Sequence, residues 1–150
     1  MKKTSVRNYL IEEGLQLKSG EILISPNIAY ETWGNLNKDF SNAVLVTTGL
    51  SPSSHIASNE LNIEQGWWEN IIGPNKAIDT NRFFVICANS LGSCFGSTGP
   101  SSKNPQTNQP YQLLFPRLSI EDIASSLISL IKHLGINQLQ TIVGPSMGGM

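Results

Sequence analysis

Residues 144–150 read Gly-Pro-Ser-Met-Gly-Gly-Met, in which Gly144, Ser146 and Gly148 keep the G-x-S-x-G spacing of a nucleophile elbow. Such an elbow turns sharply from a strand into a helix and holds its serine in strained backbone angles. The flanking residues must be small so that strand and helix can close on each other. The β-branched run Thr141-Ile142-Val143 just before it suits the strand. Ser146 is therefore the candidate nucleophile, and its chemistry is attack on a carbonyl through a tetrahedral oxyanion.

That oxyanion needs two N–H donors. One comes from the residue after the nucleophile, here Met147, and the other from the loop after an earlier strand of the sheet. The apolar run 44–48 is followed by Gly49-Leu50-Ser51-Pro52-Ser53-Ser54-His55, which makes Leu50 N–H the candidate second donor. Pro52 and Pro145 have no N–H to give. A plainer reading of residues 49–53, as an ordinary polar turn, stays open on this ground alone.

No general base is apparent. The two histidines, His55 and His133, both precede Ser146, whereas partners of this elbow follow in the chain order serine, acid, histidine. Asp39, Asp79 and Asp122 also precede it. His133 falls in the last turn of a helix, where a cation suits the dipole. Cys87, inside an apolar run, reads as a small buried hydrophobe rather than a nucleophile. Trp67 and Trp68, adjacent on what reads as a short helix, fit core and lid packing better than substrate contact. Lys103 reads as a solvated cation. The Gly/Ser-rich stretch 92–102 follows the carboxyl end of a strand, where α/β sheets place ligands. It is no P-loop, because no Gly-Lys-Ser/Thr follows it.

The elements that must position these groups are legible as apolar runs. Residues 27–33, 43–48, 83–88 and 141–143 read as strands, the second and third apolar enough to be buried on both faces. One helix is clear. Ser119 and Asp122 form an S-x-x-D capping pattern, apolar residues recur from Ile120 to Leu134, and Gly135 stops it. Buried strands, a helix and a strand-to-elbow turn predict an α/β class with a mostly parallel sheet.

The chain has 150 residues, a net charge of -1 and two cysteines. This is no footprint for nucleic acid or an anionic membrane, and no disulfide framework. No apolar run is long enough to span a bilayer, and no apolar stretch follows Lys2 and Lys3 as a leader requires. These features predict a soluble, cytoplasmic protein with no nucleic-acid or membrane partner.

Seven segments in order carry a resemblance. They are Thr48-Gly49-Leu50-Ser51-Pro52-Ser53-Ser54-His55, Gly66-Trp67-Trp68-Glu69-Asn70, Ile72-Gly73-Pro74, Asp79-Thr80-Asn81-Arg82-Phe83-Phe84, Asn89-Ser90-Leu91-Gly92-Ser93-Cys94, residues 96–102 and residues 144–150. Together they closely resemble the amino-terminal part of the homoserine O-acetyltransferase family, which includes serine O-acetyl- and O-succinyltransferases. The stretch 66–102 is more specific than the serine motif.

The resemblance implies an α/β-hydrolase fold and a ping-pong transfer. A serine takes an acyl group from acetyl- or succinyl-CoA and passes it to the hydroxyl of serine or homoserine, in cysteine or methionine biosynthesis. Ser146 matches the family nucleophile, and Leu50 and Met147 match its oxyanion-hole positions. Acyl-CoA is a cosubstrate, with no bound cofactor and no metal, and the partners are small molecules; a homodimer of the full-length protein is left open. Where many members have His-Ala-Leu-Thr-Gly, this chain has Thr48, Gly49, Leu50, Ser51 and Pro52. Residues 49–52 thus become a substrate-specificity loop that resembles the serine-acylating, succinyl-using members.

Family members are much longer, and their catalytic Asp and His follow the elbow. Residues 1–150 are accordingly expected to be a partial α/β-hydrolase domain, truncated just past the elbow. Two alternatives remain: a catalytically inert fragment of such an enzyme, and an α/β-hydrolase esterase.

Overall fold

The computed structural model describes residues 5–150; Lys2 and Lys3 lie outside them. The strands are β1 (Arg7–Leu10), β2 (Leu15–Gln16), β3 (Ile22–Leu23), β4 (Asn27–Trp33), β5 (Ala43–Thr47), β6 (Ile72–Gly73), β7 (Ile78–Asp79), β8 (Phe84–Ala88) and β9 (Thr141–Val143). The helix α1 (Ile120–His133) lies between β8 and β9. Five strands make the main sheet, in the order β1-β4-β8-β5-β9. β5 pairs in parallel with both β8 and β9, whereas β4 runs antiparallel to both β1 and β8. The expected parallel sheet is thus the half that carries the elbow, and the other half makes the whole sheet mixed.

Alternation along the central strands sorts side chains into two cores. Ala43 and Leu45 of β5 and Ile86 and Ala88 of β8 face one side, packed with Leu127, Leu130 and Ile131 of α1. Val44, Val46, Val85 and Cys87 face the other, with Trp33, Ile56 and Ile72. Each Val, Leu or Ile among them contributes about 1.5–3 kcal/mol by leaving water. Double-sided burial is why these runs are continuously apolar in sequence. Glu31 is the exception: it sits in β4 at 1% exposure.

The helix α1 begins as its sequence requires. Ser119 Oγ accepts from Asp122 N–H, and the Asp122 carboxylate accepts from Ser119 N–H at 2.8 Å, a reciprocal capping box. Asp122 Oδ1 also accepts from Lys18 N–H at 2.7 Å, which ties the helix start to the β2–β3 hairpin. Burial opposes ionisation of Asp122, but the hydrogen bonds from Ser119 and Lys18 outweigh it and hold its pKa below the usual value. At the other end, His133 stacks on Tyr9 with ring centroids 4.2 Å apart.

Candidate active site

Ser146 is joined to β9 through Gly144 and Pro145 and has φ +54°, in the left-handed region that non-glycine residues seldom occupy. It opens a 3-10 turn, Ser146–Gly149. The neighbouring glycines are required by space. A side chain on Gly144 would collide with Thr47 Oγ1 and the Gly148 carbonyl, and one on Gly148 would lie 2.6 Å from Thr47 O. Thr47, the last residue of β5, locks the turn by donating its hydroxyl to Gly148 O at 2.6 Å. The strain at Ser146 is thus held by the parallel partner of its own strand.

The loop 49–55 leaves the carboxyl end of β5 beside this turn. A methyl group in place of the Gly49 hydrogen would stand 3.7 Å from Ser146 Cβ. Among the described residues, neither Leu50 N–H nor Met147 N–H has a backbone acceptor. Leu50, Met147 and residues 90–95 line one cleft of about 490 Å³, closed on its far side by Phe115, Leu118 and Ile123. Three segments singled out in the sequence therefore meet: the elbow, the loop after β5 and the Gly/Ser loop after β8.

Buried polar residues just past β8 pin this loop at both flanks. Thr48 and Ser90 share a hydroxyl–hydroxyl hydrogen bond of 3.0 Å. Asn89, 1% exposed, accepts from Ser54 N–H at 2.6 Å and donates to Phe95 O at 2.7 Å. One amide thereby joins the loop after β5 to the Gly/Ser loop. Trp67 Nε1 adds a third tie by donating to Ser53 O at 2.8 Å. Trp67 and Trp68 lie in a run of turns instead of the short helix expected, and both pack against the second core.

Beyond the loop, His55 lies between Glu31 and the carbonyl of Glu64. Nδ1 is 3.1 Å from Glu31 Oε2, and Nε2 is 2.9 Å from Glu64 O. Both ring nitrogens are thus engaged, so His55 is not a base for Ser146. His133, stacked on Tyr9, has no described contact with Ser146 either. Glu69 secures the next stretch by accepting from Ser58 N–H and Gly66 N–H at 2.7 and 3.1 Å. The Ser58 N–H bond is the chief cause holding its carboxyl at about 2 against the cost of burial, with Gly66 and Lys76 assisting. This tie is fully present above the ordinary carboxylate range and is lost as pH falls toward 2.

Cys87 is fully buried, and burial, with the nearby Glu31 charge, pushes its thiol well above the usual range. Lys103 is exposed and pairs through its backbone with Pro110. Sequence reasoning missed Glu31, Asn89 and Thr47. The available signals were a carboxylate inside an apolar strand and an amide ending an apolar run.

No family model matches the chain. The serine O-succinyltransferase of Stenotrophomonas maltophilia (strain K279a) is 56% identical over 144 residues, which are 96% of this chain and 39% of that protein. Among solved structures, the homoserine O-acetyltransferase from Bacillus anthracis matches with a TM-score of 0.88 at 36% identity, over 99% of this chain and 42% of its own. Esterase E22 matches with a TM-score of 0.86 at 37% identity, over 95% of this chain and 41% of its own. The chain thus spans about two fifths of the relatives it matches. In sequence and fold alike it resembles the serine O-succinyltransferases and homoserine O-acetyltransferases over about two fifths of their length, and it shares their α/β-hydrolase fold.

Proposed function

We propose that this chain supplies the nucleophile and oxyanion side of an O-acyltransferase, which moves an acyl group from succinyl- or acetyl-CoA through Ser146 to the hydroxyl of L-serine or L-homoserine. The observation that carries the reading is the strained Ser146, at φ +54° between two sterically required glycines and beside the loop bearing Leu50. Ser146 Oγ attacks the thioester carbonyl and its proton passes to a base outside residues 5–150. The negative oxygen is met by the N–H groups of Leu50 and Met147, the C–S bond breaks, and CoA leaves as its thiol. The amino-acid hydroxyl then attacks the Ser146 ester by the same route in reverse. Each oxyanion donor is worth about 3–4 kcal/mol of barrier in such sites.

The likeness to esterase E22 favours a second reading, in which water takes the acyl group. One experiment separates the two. The chain is fused to the remainder of the S. maltophilia relative, and the fusion is incubated with succinyl- or acetyl-CoA. Mass spectrometry should place the acyl increment on the peptide containing Ser146. Serine or homoserine should then discharge it faster than buffer does. Discharge at the buffer rate would favour the esterase, and an unmodified Ser146 peptide would remove both readings.

Acceptor choice is assigned to residues 49–52, because they flank the reacting carbonyl. Replacing residues 48–52 with His-Ala-Leu-Thr-Gly should shift the serine-to-homoserine ratio of kcat/KM. One methylene in a pocket corresponds to roughly 10–200-fold. An unchanged ratio in the folded fusion would place the discrimination elsewhere.

A further inference from the structure

We propose that the buried Glu31 and the half-buried His55 form a charge pair that positions the oxyanion loop, with His55 as a positioning residue for acyl transfer. The proposal rests on the acyl-transfer reading above and goes on to assign what holds the Leu50 donor in place.

A carboxylate at 1% exposure in the middle of β4 is costly unless it is both paired and hydrogen-bonded. Glu31 has both kinds of partner, since His55 Nδ1 stands 3.1 Å and Asn59 Nδ2 3.2 Å from its Oε2. The other imidazole nitrogen meets a backbone carbonyl, which only accepts. With acceptors at both nitrogens, the ring is held as an imidazolium with both N–H groups donating. The Asn62 side-chain nitrogen stands farther from Nε2, at 3.4 Å, while its oxygen accepts from Glu64 N–H, so the Glu64 carbonyl is the nearer partner of that ring nitrogen.

The placement gives this pair its role. His55 is the residue after Ser54, the point where Asn89 grips the loop. Glu31 belongs to the sheet, so the pair joins the far end of the oxyanion loop to a rigid strand. The charged groups around it are the Glu31 carboxylate from β4 and Glu64 from the following loop, and the neutral Cys87 thiol faces Glu31 from β8. Burial works against the imidazolium, but the hydrogen bonds to Glu64 and Glu31 and their charges outweigh it, so its pKa lies above the ordinary value. A group raised in this way contributes fully at low pH, and its contribution is lost as pH rises through the folded pKa. The loop therefore loosens on the alkaline side.

The test uses the fusion described above. Glu31→Gln keeps the shape and removes the charge. The burst of CoA thiol on mixing with succinyl-CoA should slow by about 10- to 100-fold, the scale of a misplaced catalytic group. KM for succinyl-CoA should change little, and the alkaline limb of the rate profile should move to lower pH. His55→Gln should slow the burst similarly and abolish that limb.

Should either variant misfold, nitrogen NMR of the unaltered fusion still decides, because the His55 ring must titrate above the ordinary imidazole value near about 6.5. An imidazole already neutral there overturns the proposal. So do folded variants that keep both the parent burst and the parent alkaline limb. Ser146→Ala in parallel keeps the two readings apart: if it still turns over, the acyl-transfer assignment fails, whatever His55 does.

Discussion

Ser146→Ala in the full-length fusion should bring acyl transfer down to background, a loss on the order of 10⁶-fold by analogy with other serine nucleophiles. The acyl increment should vanish with it. The size of the loss follows from the geometry. Ser146 is the residue held on the strained elbow beside the loop 49–55, whereas Cys87 is fully buried in the second core and His55 has both nitrogens engaged. Removing the hydroxyl leaves the fold intact, because Ser146 is exposed and makes no described side-chain hydrogen bond. The melting temperature should therefore stay near that of the parent. Steady-state release of CoA thiol, measured with each acyl-CoA, checks the prediction, and turnover near the parent rate would remove Ser146 from the mechanism.

Ser146 was legible because an elbow is a local object. Its demands for small neighbours and a preceding strand fall within a few residues, so spacing alone reveals them. The same holds for α1, whose capping box and apolar period are both short-range. β5 and β8 stood out because strands buried on both faces must be apolar throughout. The short strands β2, β3, β6 and β7 have two residues each and no period to read. Each pairs with a neighbour close in the chain, β2 with β3 and β6 with β7, so the turn between them and not an apolar pattern sets the ladder. The supports of the loop 49–55 were hidden because their partners lie far apart in the chain. Glu31 lies 24 residues before His55, and Asn89 lies 35 after Ser54. A lone carboxylate in an apolar strand announces a partner without naming it.

The 150-residue polypeptide expressed by itself is expected to aggregate or pack loosely and to release no CoA thiol above background. β9 stands at the margin of the sheet with Ile142 59% exposed, an open apolar edge of the kind that recruits other chains. Beside it, Leu45, Leu127, Ile131, Ile136 and Ile142 line an uncovered groove of about 690 Å³ between α1 and the sheet. The turn that follows Ser146 runs only to Gly149, too short to hold on its own. Among the described residues neither histidine stands as a base for Ser146, and an unassisted serine hydroxyl is a weak nucleophile. Size-exclusion chromatography, near-UV circular dichroism and a thermal melt address the packing, and a thiol-release assay addresses the chemistry. A soluble, cooperatively melting polypeptide that acylates serine or homoserine would refute the prediction on both counts.

Asn89 grips Ser54 with its oxygen and Phe95 with its nitrogen, so the two walls of the cleft hang from one amide. Pushing one wall moves the amide, and the amide moves the other wall. Changes made separately in residues 49–54 and 92–96 should therefore not simply sum, and double-mutant cycles across the cleft should show coupling beyond the few tenths of a kcal/mol seen between independent sites. An evolutionary path from one acceptor to another would then be order-dependent, with some substitutions in the first wall tolerated only after the second has changed.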